Sequence, residues 1–122
     1  MTQSEALQKL SGIREQAERI IKLFENDHVQ SQTVPKAQEL FRSLKENLHA
    51  EYKRMSTVRG EAALSHLESS FYKPAIEDAW ANTQISGIRW NSRPNGRWLD
   101  ELSSVSDYMG YWSSNLKEAV LK

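Results

Sequence analysis

Apolar residues recur at intervals of three and four through most of the chain. Between residues 4 and 25 they are Leu7, Leu10, Ile13, Ala17, Ile20, Ile21 and Phe24, which predicts a helix with one buried stripe. Thr2 with Glu5 three residues later fits a capping box and places the start near Thr2 to Ser4. Asn26 and Asp27 are the expected terminators, and residues 28–32 are polar and aperiodic. Thr33 can cap a second helix whose first turn tolerates Pro35, because a proline there lacks an N–H that would have no partner anyway. Its stripe is Val34, Ala37, Leu40, Phe41, Leu44, Leu48, Tyr52 and Met55, and Ser56, Thr57 and Gly60 mark the break after it.

A third helix is expected from about Val58, with Ala62, Ala63, Leu64, Leu67 and Phe71 inward. Pro74 removes a backbone donor and clashes with the carbonyl four residues back, so a kink or restart is expected near Lys73. The continuation to Ala81 puts Ile76, Ala79 and Trp80 on one side. From Thr83 to Gly96 the helical period disappears and Ser86-Gly87 and Pro94-Asn95-Gly96 favour turns. The last helix repeats Trp98, Leu102, Val105, Met109, Trp112, Leu116 and Ala119 as a heptad stripe. Beside it run the small residues Ser103, Ser106, Gly110, Ser113 and Ser114. A mid-helix glycine costs about 1 kcal/mol against alanine. Gly110 therefore implies either close approach of another helix or a tolerated glycine on an exposed serine face. The elements predict an all-α fold: an antiparallel four-helix bundle with a broken third helix and a long loop before the last helix, as one domain over residues 1–122.

Length and charge fit that picture. A chain of 122 residues has room for one core. With no cysteine, disulfides, thiolate metal sites and cysteine nucleophiles are excluded. Sixteen basic and sixteen acidic residues cancel, so no whole-molecule field points to nucleic acid or an anionic membrane. A mean hydropathy of −0.68, no long apolar run and an N-terminus unlike a secretory signal lead to the expectation of a soluble cytoplasmic domain.

Enzymatic motifs are sparse. There is no G-x-S-x-G, no phosphate-binding glycine loop and no H-E-x-x-H, and nothing implies a cofactor. Glu25 with His28 and Glu46 with His49 have the Glu-x-x-His spacing of di-iron bundles. However, Glu46 falls opposite the Leu44 and Leu48 stripe and the first pair lies at a helix end, so no metal is expected. Arg42 to His49 and Arg59 to His66 share an Arg-x6-His spacing. These two pairs resemble the R-x(4–6)-H signature of HEPN ribonucleases, which are also small all-α proteins. The resemblance is confined to these residues and implies RNA cleavage through His66. Ser43 and Gly60, after the two arginines, depart from the polar amide or acid usual there. The carboxylate pairs Glu15/Glu18, Glu77/Asp78 and Asp100/Glu101 read as surface charge patterning, the last pair favourable at a helix start.

One segment stands out by composition. No acid occurs between Asp78 and Asp100, whereas Arg89, Trp90, Asn91, Arg93, Asn95, Arg97 and Trp98 do. All its cations are arginine, which suits planar, bidentate or stacked contacts. Three readings follow. In the first, the tryptophans anchor the loop on the bundle, its arginines paired to Glu77 and Asp78. Alternatively the loop docks on another protein, tryptophan and arginine being hot-spot residues. Or it binds a phosphate-bearing ligand, a single-stranded nucleic acid or a nucleotide. The expectation carried forward is a non-enzymatic protein-binding module, with Arg89, Trp90, Asn91, Arg93, Asn95 and Arg97 as contacts. Phosphate-ligand binding and the HEPN-like ribonuclease are the alternatives, and the small-residue strip suggests a possible homodimer.

Overall fold

The computed structural model describes residues 1–24, 33–57, 65–84 and 97–119. They form α1 (Gln3–Leu23), α2 (Thr33–Thr57), a π-helical segment (Glu68–Tyr72) that runs into α3 (Lys73–Asn82), and α4 (Arg97–Glu118). Among the described residues there is no strand, and no helix is long and apolar enough to cross a membrane. The fold is an all-α helical bundle.

The capping box at the start of α1 is present. The Thr2 hydroxyl accepts from the Glu5 amide at 3.1 Å and the Thr2 amide donates to the Glu5 carboxylate at 3.4 Å. Pro35 lies near the start of α2, which is described over Thr33–Thr57; the Gly60 expected to mark its break lies outside the described residues. Each helix packs on two neighbours, in the circuit α1, α2, α3, α4 and back to α1, with α1 and α4 in contact over the greatest length. The directions follow from paired residues. Gln3 donates to the Leu116 carbonyl while Arg14 reaches Ser106, so α1 and α4 run in opposite senses. Arg54 pairs with Glu68 while His49 stacks on Trp80, so α2 and the π–α3 unit do likewise.

The core is the predicted stripes with small changes. Leu10, Ile13, Ala17 and Ile20 of α1 meet Leu44 and Leu48 of α2, Ile76 and Ala79 of α3, and Leu102, Val105, Met109 and Leu116 of α4. Ala6 is buried where the sequence pointed to Leu7, which is only half-buried. A larger change concerns the third helix. Phe71, expected inward, lies at the margin, while Tyr72 is fully buried. The cause is the π turn: the Lys73 amide bonds to the Glu68 carbonyl five residues back. That wider turn puts Leu67 and Tyr72, five apart, on one face and hands the stripe on to Ala75, Ile76 and Ala79. Pro74 explains the location, since an ordinary α-turn would drive its ring against the Ser70 carbonyl. The expected break is therefore a change of pitch, with Tyr72 and Lys73 both in right-handed helical conformation.

Candidate functional site

The six loop residues singled out by sequence are not brought together in the described structure. Arg89, Trp90, Asn91, Arg93 and Asn95 lie outside the described residues, and Arg97 is described only as the first residue of α4. Asp78, a suggested partner for the loop arginines, accepts the Trp112 indole N–H at 2.8 Å and thereby ties α3 to α4. Val58 to Leu64 and Arg59 also lie outside the described residues. His49 is exposed and stacks on Trp80, with ring centroids 5.2 Å apart, beside Tyr52 at 5.7 Å from the same indole. Its partner in the Arg-x6-His spacing, Arg42, is exposed too, as is Glu46. His66 is exposed with Ser70 Oγ 3.3 Å from its Nδ1, and no third polar group orients the pair among the described residues. No three His, Asp or Glu side chains converge among the described residues.

The small-residue strip on α4 meets α1 of the same chain. Arg14 Nε donates to Ser106 Oγ at 3.1 Å, and Ser106 in turn donates to Glu18 Oε1 at 3.0 Å. Ser106 is buried and Gly110 half-buried, whereas Ser103 and Ser114 face water. The strip thus works inside the bundle at Ser106 and Gly110, which removes those two positions from a surface for a second copy.

The opposite face of α4 has a different chemistry, one that sequence reasoning passed over. At 3.6 residues per turn, Asp100, Asp107, Tyr111 and Glu118 fall within about 40° of one another, with Tyr108 beside them. This face points away from Leu102, Val105, Met109 and Leu116, so core packing holds it outward. Tyr111 is 59% exposed and Tyr108 40%, the large apolar side chains most open to water among the described residues. They line a hollow of about 390 Å³ with Ser104 and Asp107. Tyr111 is braced edge-on by the Trp112 ring at 5.3 Å, and Trp112 is itself fixed by Asp78. The carboxylates of Asp100, Asp107 and Glu118 make no ion pair or hydrogen bond among the described residues. Lys22 of α1 shares an adjoining hollow with Asp107 without pairing to it.

A second constellation lies across the bundle, where α1, α2 and the π segment meet. Glu51 Oε1 accepts from Lys9 Nζ at 3.0 Å, and Glu51 Oε2 accepts from Arg54 Nη2 at 3.1 Å and Nε at 3.2 Å. Arg54 continues to Glu68 at 3.5 Å. Partial burial pushes the Glu51 carboxyl up, but the hydrogen bonds and charges of Lys9 and Arg54 outweigh it and hold the group below the usual carboxylate range. Beneath this network is Tyr72, with Lys9 Nζ 5.9 Å above its ring. Its hydroxyl is buried, and Glu51 is the acceptor beside it, reaching the phenol by a weak hydrogen bond while also accepting from Lys9 and Arg54. Burial first, and then the Glu51 charge, drive the Tyr72 pKa far above the usual phenol value, so the proton stays on.

No family model, curated protein or solved structure matches the chain.

Proposed function

We propose that this chain is a non-enzymatic protein-binding module that receives a lysine- or arginine-bearing segment of a partner protein along the outer face of α4. The observation that carries the reading is the placement of Tyr108 and Tyr111, exposed on α4, among the carboxylates of Asp100, Asp107 and Glu118, which make no ion pair among the described residues. Tyrosine presents a large contact area with few rotatable bonds and is enriched at interface hot spots. Its ring face attracts ammonium and guanidinium groups. The carboxylates add charge complementarity, which speeds encounter and selects against acidic partners. The same carboxylates repel phosphate, which supports a protein over a nucleic acid as the partner of this face. Arg89, Trp90, Asn91, Arg93, Asn95 and Arg97 belong to the proposal through their chemistry alone.

Fluorescence anisotropy with a labelled, lysine- and arginine-rich helical peptide tests it, with a glutamate-rich peptide of equal length as control. The basic peptide should bind, more weakly as salt is raised, and the acidic one should not. Tyr111→Ala and Asp107→Lys should each weaken binding about tenfold or more with unchanged helix content. Trp90→Ala with Arg93→Ala reports separately on the loop. Equal binding of the two peptides, or indifference to both α4 substitutions, overturns the reading.

A further inference from the structure

We infer, resting on the docking reading of α4, that the basic segment it receives is the α2 flank of a second copy of this chain. At 3.6 residues per turn, Arg42, Lys45, His49 and Lys53 fall within an arc of about 80° on α2. Arg42, His49 and Lys53 are exposed and Lys45 is half-buried. None of the three cations makes an ion pair among the described residues. Lys45 Nζ lies 5.8 Å from the centre of the Phe41 ring instead. Beside them is an aromatic ledge, with His49 and Tyr52 of α2 stacked on Trp80 of α3. This flank is the counterpart of the α4 face: it has cations where α4 has carboxylates, and rings to meet Tyr108 and Tyr111. The sixteen basic and sixteen acidic residues cancel over the whole chain, yet these two faces carry opposite signs.

Spacing sets the register. Arg42 and Lys53 are eleven residues apart, as are Asp107 and Glu118, about 16 Å along either helix. Laid antiparallel, one register puts Arg42 opposite Glu118, His49 opposite Tyr111, Tyr52 opposite Tyr108 and Lys53 opposite Asp107. Lys45 then meets Asn115, and Glu46, the acid at the margin of the flank, meets Ser114, so no like charges stand opposite each other. The parallel arrangement that pairs the same charges sets Tyr111 against Glu46 and Tyr108 against Ser43, and loses the ring contacts. In the helix circuit α2 and α4 are diagonal, and the α4 face points outward, so one molecule cannot join its own two faces. The contact is heterologous: each added copy leaves one α2 flank and one α4 face open, and copies continue head to tail or close a ring.

Sedimentation velocity of the full chain, from about 10 μM to about 1 mM protein, tests it. The weight-average mass should rise above 14.1 kDa with concentration and fall back as salt is added. Arg42→Glu with Lys53→Glu should hold the chain at 14.1 kDa, and so should Asp107→Lys with Glu118→Lys, both with unchanged helix content. An equimolar mixture of these two variants should associate again, because the native α4 of one meets the native α2 of the other. A single 14.1 kDa species at every concentration overturns the inference. So does association that survives either pair of substitutions, or a mixture that stays monomeric. A lysine- and arginine-rich peptide bound by a chain that never self-associates leaves the docking reading intact and removes only the second copy as its partner; failure of both removes the two together.

Discussion

The guanidinium of Arg14 lies over Gly110: a methyl group at that position would stand 3.1 Å from Arg14 Nη1 and 3.4 Å from its Cζ. The glycine therefore makes room for a side chain of α1 instead of a neighbouring backbone. Arg14 is held there by Ser106 and Glu18, at 3.1 and 3.3 Å. Removing the glycine sets two effects of similar size against each other. Alanine adds about 1 kcal/mol of helix propensity, and displacing Arg14 weakens a hydrogen bond of about 0.5–1.5 kcal/mol. Because the crowded atoms are the far end of a half-exposed chain, Gly110→Ala should stabilise the protein by about 0.5 kcal/mol. In an Arg14→Ala background the gain should rise to about 1 kcal/mol. Urea denaturation of the four proteins of the cycle measures both, and additive effects would show that the two residues do not interact.

Trp112 and Asp78 make the corresponding link between α3 and α4. Asp78→Ala leaves the half-buried indole N–H without its charged acceptor, and hydrogen bonds to charged groups contribute about 1.5–3 kcal/mol. Denaturation should show a loss near the lower end of that range, with a change in the Trp112 emission. Asp78→Asn retains an acceptor and should lose less than half as much.

Deletion is the sharpest probe of the π segment. Removing the exposed Ser69 shortens the spacing of Leu67 and Tyr72 from five to four and returns the segment to α-helical pitch with its buried face kept. Pro74 opposes that pitch. The single deletion should therefore destabilise the protein by about 3 kcal/mol, and combining it with Pro74→Ala should recover most of the loss. Thermal melts of the two variants suffice; equal melting points would remove Pro74 as the cause of the π turn.

The apolar spacing in the sequence was enough to place α1, α2 and α4 and nearly all of their buried residues, since a repeat of three and four leaves little choice of buried face. It could not place Tyr72. Extending an α-helical period through Pro74 selects Phe71, and only the backbone shows the five-residue turn that replaces Phe71 with Tyr72. Gly110 left close approach and a tolerated glycine on a serine face both open, because its neighbour, Arg14, depends on the register of α1 against α4, which no local pattern contains. The exposed face of α4 was written in the sequence as Asp100, Asp107, Tyr111 and Glu118, at spacings of seven, four and seven. Spacing alone does not single it out, because the inward heptad of the same helix is the stronger signal and the 89–98 segment is denser in arginine and tryptophan.

Acid should loosen the α1–α2 junction. The Glu51 pKa is lower in the folded protein than its ordinary value of 4.5. Its contribution is therefore complete above that value and is lost as the pH falls through the lower folded one. Stability followed from pH 6 down to pH 2 should decline below about 4.5 in the wild type. In Glu51→Gln the decline should be shallower over the same interval. Identical profiles would mean that Lys9 and Arg54 do not favour the carboxylate in the folded state.

The docking proposal is tested most directly by mapping where a basic peptide touches the isotopically labelled chain. Saturable NMR shift changes are expected at Asp100, Asp107, Tyr108, Tyr111 and Glu118, along about 27 Å of α4, with little change at Leu44 or Leu48 on the buried side of α2. Shifts concentrated on α1 or α2, or none at all up to millimolar peptide, would contradict it.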